Sequence, residues 1–243
     1  MNQPSTLPAV QAILAPVHSG LQLSGERPVR PTGFIGALLL ALLMPIAAYA
    51  QDISTQLLDA AKKGDCDALR AQLGKGTDVN AKNADGRTAL MEAAFLGRAD
   101  ATKLLLEKGA DANMKDNEDR TALMDAAGPG HIQIVQALLE KGANLNAKSK
   151  EGATALIEAA SNNRADVVKA LLEKGASVDD KDKEGRTALI LAANWGHVDA
   201  AQALIDKGAN ANAKDKYGYT ALMYAKREKH ANVAETLAKA GAK

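Results

Sequence analysis

The triplet Thr-Ala-Leu begins at Thr88, Thr121, Thr154, Thr187 and Thr220, and every interval is 33 residues. A fixed period of that length restricts the chain to stacked copies of one supersecondary unit, because a single copy cannot bury its own apolar face. Each triplet opens a short helical pattern. A Lys-Gly-Ala turn headed by Lys108, Lys141, Lys174 and Lys207 follows the first four. The unit therefore reads as helix, tight turn, second helix and exposed connection. Counting back 33 residues from Thr88 reaches Thr55, the start of Thr55-Gln56-Leu57-Leu58-Asp59-Ala60-Ala61, a fainter copy that brings the number to six. The expected divisions are an N-terminal segment over 1–50, a cap repeat over 51–82, repeats over 83–115, 116–148, 149–181 and 182–214, and a C-terminal capping repeat over 215–243.

Ahead of the repeats, Phe34 to Leu43 is uninterrupted apolar or small sequence, with Arg27 and Arg30 just before it and Ala48-Tyr49-Ala50 closing it. This pattern predicts a secretory signal cleaved after Ala50, leaving Gln51 as the first mature residue. A membrane anchor is the rival reading. Only 17 residues run from Phe34 to Ala50, Pro45 among them, short of the ~20 that a spanning helix needs. No stable membrane insertion is expected once the signal is removed. The stretch before the apolar run is long, and Val29 is an alternative start. Export to the periplasm is the expectation, with secretion as the alternative.

Formal net charge is +1, and removing residues 1–50 leaves 28 Lys/Arg against 28 Asp/Glu. A neutral chain lacks the basic footprint that phosphate neutralisation requires, which argues against a nucleic-acid partner. The single cysteine, Cys66, excludes an intramolecular disulfide. It holds the repeat position of Ala99, Ile132, Ala165 and Val198, so a buried apolar role is expected.

Within one unit the sequence reads Asp85-Gly86-Arg87-Thr88-Ala89-Leu90, Ala93-Ala94, Gly97, Leu104-Leu105 and Gly109-Ala110-Asp111 with Asn113. This resembles the ankyrin repeat, over nearly all of residues 51–243. The usual Pro after Thr is Ala throughout, and the usual His after Leu is Met91, Met124, Ile157, Ile190 or Met223. The resemblance implies an all-α fold, an ankyrin-repeat solenoid of stacked helix-turn-helix units with short hairpin loops. It also implies that hairpin tips and first-helix positions on the concave face form the surface that meets a partner.

Thr88 is placed to cap the first helix of its unit, Gly97 to end it in a left-handed conformation, and Asn163 to stand in for that glycine. The second helix is expected from Asp100 to Lys108. Alanine pairs such as Ala93-Ala94 permit close helix approach. The last unit has Ala225-Lys226, and the first has Gln72 where inner units have Leu105, Leu138, Leu171 and Leu204, so both ends are adapted to water. In the third unit Asp119 replaces the hairpin glycine and Gly128-Pro129-Gly130 interrupts the first helix, as a shortened helix or a hinge.

His131, His197 and His230 share one repeat position, which points to a structural role at the start of the second helix. No catalytic constellation, phosphate loop or zinc motif is present. Two sets of candidate contact residues remain. Asp59, Glu92, Asp125 and Glu158 form an acidic column, either complementing helix dipoles or presenting a stripe to a basic partner. The aromatic residues Phe95, Trp195, Tyr217, Tyr219 and Tyr224, joined by Leu191, occupy variable positions and are of the types enriched in binding hot spots. The sequence reads as a non-enzymatic protein-binding scaffold needing no cofactor or metal, expected to be a monomer, with a periplasmic protein as partner. The alternative is a secreted effector that binds a host protein, and an enzyme is disfavoured.

Overall fold

Short helices form where each unit repeats the same start and stop signals. The computed structural model describes residues 54–243; the segment 1–50, its cleavage point and Gln51 lie outside the described residues. Twelve helices are present among them: α1 over 54–63, α2 Cys66–Gly74, α3 Ala89–Phe95, α4 Ala99–Glu107, α5 Ala122–Ala127, α6 Ile132–Glu140, α7 Ala155–Ser161, α8 Ala165–Glu173, α9 Ala188–Asn194, α10 Val198–Asp206, α11 Ala221–Arg227 and α12 Ala231–Lys239. Odd-numbered helices from α3 onward pack on one another in one layer, and even-numbered helices pack in a second. At six to nine residues from α2 onward, these helices are too short to persist alone, so inter-repeat packing stabilises them.

The threonines start the first helices as expected. Thr88, Thr154, Thr187 and Thr220 each accept from the backbone N–H three residues on, at 3.3–3.4 Å. Thr121 makes no such bond, and its buried hydroxyl has no partner among the described residues. The stop is a left-handed residue at one repeat position: Gly97, Gly130, Asn163, Gly196 and Lys229 all have positive φ. The interruption at Gly128-Pro129-Gly130 shortens α5 to six residues, against seven in α3, α7, α9 and α11. Second helices begin one residue earlier than expected, with Ala99 the first residue of α4 and Lys108 its C-cap.

The core is a column of Leu, Ile, Met and Ala running through the stack. Ala93-Ala94, Ala126-Ala127, Ala159-Ala160 and Ala192-Ala193 are fully buried. Lys226, at the equivalent outer position of the sixth unit, is exposed. Cys66 is partly rather than fully buried against the core, as are Ala99, Ile132, Ala165 and Val198 at the same repeat position.

Polar bonds spaced by one repeat fix the register. Asn117, Lys150, Lys183 and Lys216 donate backbone N–H groups to Asp85, Glu118, Glu151 and Glu184, joining successive hairpin tips. Lys82, Lys115, Lys148 and Lys181 each place Nζ on the carbonyl of the lysine 33 residues later. A third tether runs backward from the start of the second helix: His131, His197 and His230 put Nε2 3.1 Å from the carbonyls of Phe95, Ser161 and Asn194. Arg98 and Arg164 do the same job with Nε on Lys62 and Gly128.

That tether makes Gly97 sensitive. Its φ is +71°, and a Cβ there would lie 2.7 Å from the His131 ring. Gly97→Ala is expected to lower stability by about 1–2 kcal/mol for the left-handed backbone, plus the displacement of His131. Gly109→Ala, with similar φ and nothing within 4 Å, carries only the backbone cost. Equal urea midpoints for the two variants would show that the His131 tether contributes nothing.

Candidate functional site

The acidic column is not an open stripe. Asp125 is 2% exposed and Glu92 9%, because two arginines one residue before the capping threonines close over them. Arg87 Nε lies 3.0 Å from Glu92 and its Nη2 2.9 Å from Asp125 in the next unit. Arg120 repeats the arrangement, 3.1 Å from Asp125 and 2.7 Å from Glu158. Arg87 also reaches Asp116 at 3.4 Å. The result is a continuous ladder, Glu92–Arg87–Asp125–Arg120–Glu158, across three units. Asp59 stands apart, exposed and 4.0 Å from Lys62.

Burial pushes the Asp125 carboxyl upward, and the attraction of Arg87 and Arg120 offsets this only in part. Burial alone would lower both arginines, but Asp125 with Glu92, and Glu158 with Asp125, raise them overall. The Arg87 contact to Asp125 Oδ2 is close without hydrogen-bond alignment, so that oxygen is held by charge alone. Glu92, Asp125 and Glu158 are thus engaged with Arg87 and Arg120, while Asp59 is not part of the ladder. The ladder ends where Ala153 replaces the arginine and Leu191 the acid.

From that point the same face changes character. Trp195 is 59% exposed, Tyr217 64% and Tyr219 41%. Tyr224 is half-buried and holds the column position of Leu191 and Glu158. Its hydroxyl donates to Asp215 at 2.7 Å, and its ring lies 5.6 Å from that of Tyr219, tilted by 49°. Arg227 covers both rings, at 4.6 Å from Tyr224 and 5.7 Å from Tyr219. Burial pushes the Asp215 carboxyl up, yet hydrogen bonds from the Tyr224 hydroxyl and the backbone N–H groups of Tyr219 and Tyr217 hold it below the usual carboxylate range. Tyr217 donates its hydroxyl to Glu184 at 3.1 Å, beside Lys216, which pairs with the same carboxylate. The hairpin tip is thus rigid while its rings remain open to solvent.

Not every expected contact residue belongs to this surface. Leu191 is 7% exposed and sits in the core, as Glu92 and Asp125 do at the same position, whereas Glu158 and Tyr224 are half-buried there and Asp59 is exposed. Phe95, 49% exposed, lies three units away, under the Arg87 guanidinium at 5.9 Å. Trp195 caps α9, at the opposite end from the hairpin tip, a helix length of about 10 Å away. It makes no ring contact with the tyrosines among the described residues. Met223, 45% exposed, was not anticipated: Met91, Met124, Ile157 and Ile190 are buried at its position by a following unit. Its place in the last repeat was the available signal.

Among the described residues no group of three or more His, Cys, Asp or Glu is placed to hold a metal ion. No described helix is long and apolar enough to cross a membrane.

Comparison with known proteins places this architecture. The family model described as ankyrin repeats (3 copies) matches residues 57–149 and 156–243. An ankyrin repeat domain from Acinetobacter baumannii AYE, known from a crystal structure at 1.00 Å resolution, is 33% identical. The alignment covers 77% of this chain and 98% of that one, with a TM-score of 0.70. No curated protein matches the chain.

Proposed function

Because the chain belongs to the ankyrin-repeat family, whose members are in general protein-protein interaction modules, we propose that it is an exported, non-enzymatic scaffold that binds a periplasmic protein through the aromatic end of its first-helix and hairpin face. The observation that carries this reading is the exposure of Trp195, Tyr217 and Tyr219 on a stack whose other large apolar side chains are mostly buried. Such rings offer rigid contact area with little conformational entropy to lose, and the Asp215 and Glu184 bonds hold two of the tyrosines in place.

Titrating the partner against wild type, Trp195→Ala, Tyr219→Ala and Glu92→Ala, with folding checked for each, tests the surface. Each aromatic truncation is expected to weaken affinity by about 2 kcal/mol, and Glu92→Ala to leave it unchanged. Loss of binding in Glu92→Ala alone would move the contact to the ladder.

Export rests on Phe34 to Leu43 and the Ala48-Tyr49-Ala50 sequence. The periplasmic fraction is expected to contain a species whose intact mass begins at Gln51. A membrane-bound species that retains the apolar run would replace this reading with an anchor, and the processed species in culture supernatant would replace it with secretion.

A further inference from the structure

The charge of the array reverses along its length. Residues 83–181 hold 13 Lys/Arg against 16 Asp/Glu, whereas residues 215–243 hold six against three. The excess of cations in the last unit flanks the exposed rings. Lys226 follows Tyr224 by two residues on α11, and Lys229 occupies the left-handed turn just beyond it. Both are exposed. Arg227 is paired with Glu228 and Lys216 with Glu184, while Lys226 and Lys229 have no ion pair among the described residues. Met223, 45% exposed and three residues before Lys226 on α11, adds apolar area beside that lysine.

On the proposed reading that this end of the stack is the contact surface, we infer that its partner presents an acidic protein segment carrying apolar or aromatic side chains. Lys226 and Lys229 meet the carboxylates, and Met223, Tyr219 and Trp195 meet the apolar groups. Two considerations select this occupant. An unpaired cation beside exposed aromatic area is completed by a carboxylate at little desolvation cost, because Lys226 and Lys229 remain at the rim. A basic segment would instead bring like charges together at the last unit. The ladder units, net acidic by the same count, disfavour extension of an acidic segment toward Glu92, so the segment is confined to the C-terminal end.

The test is selection of a random 12-residue peptide display library on the immobilised full chain, followed by titration of the recovered peptides. Recovered sequences are expected to be enriched in Asp and Glu next to Trp, Phe or Leu. Their affinity is expected to fall at least tenfold in Lys226→Glu/Lys229→Glu and to weaken as salt rises. Lys103→Glu/Lys169→Glu, the same change of net charge on second helices, is expected to leave it unchanged. Peptides that are neutral or basic yet lose binding in Trp195→Ala overturn the acidic partner and keep the surface. Peptides insensitive to both Trp195→Ala and the charge reversal overturn surface and partner together. Oligothymidylate of twelve nucleotides bound as tightly as the best peptides, or no peptide recovered above background, overturns the inference as well.

Discussion

Leu138→Ala is expected to lower the unfolding free energy by about 2–5 kcal/mol, the range for removing a fully buried leucine and leaving a cavity. Leu138 is inaccessible to solvent in α6, which packs against α4, α5 and α8. Each unit contacts only its neighbours, so the damage stays local. Hydrogen exchange is expected to accelerate in α4, α5, α6 and α8, while α12 keeps its protection. Uniform acceleration from α2 to α12 would show that the stack unfolds as one block.

Asp125→Ala is expected to cost about 3 kcal/mol, the low end of the range for breaking a buried ion pair. Removing this carboxylate deprives Arg87 and Arg120 of the charge between them. The loss stays at the low end because Arg87 keeps Glu92 at 3.0 Å and Arg120 keeps Glu158 at 2.7 Å. Urea denaturation of Asp125→Ala beside Asp59→Ala separates the two halves of the column, since the exposed Asp59 is expected to contribute within about 0.5 kcal/mol. Similar small effects in both variants would mean that the ladder is solvated in solution, and the acidic stripe would return as a candidate contact.

The architecture was legible because start and stop signals recur in phase. A threonine, an alanine pair and a left-handed residue at 33-residue intervals leave one way to stack. The ladder was hidden by a different geometry. Arg87 and Arg120 lie five residues before their own acids and 38 before the next ones, and no local helical spacing pairs such residues. Its trace in the sequence was an arginine recurring in phase with the acids. The backward tether was half visible: the three histidines share a position, but Arg98 and Arg164 complete the series with a different donor of similar reach. Leu191 was misplaced because two positions four residues apart at the end of one short helix differ in depth, and only the stacked structure shows that Leu191 is buried and Trp195 exposed.

The lysine tethers have a consequence for what can lie along this face. Because every lysine reaches the carbonyl of its counterpart one unit on, equivalent positions are held at a constant separation, about 8–10 Å between packed helices. A polyproline II segment advances about 3.1 Å per residue with three residues per turn, so its every third side chain would return to the same face opposite an equivalent position. A helix, at about 1.5 Å per residue, would do so only every six or seven. The stack thus acts as a ruler with a three-residue cadence for polyproline II segments, and a ligand whose anchor residues keep that cadence can shift by one whole unit without losing its phase.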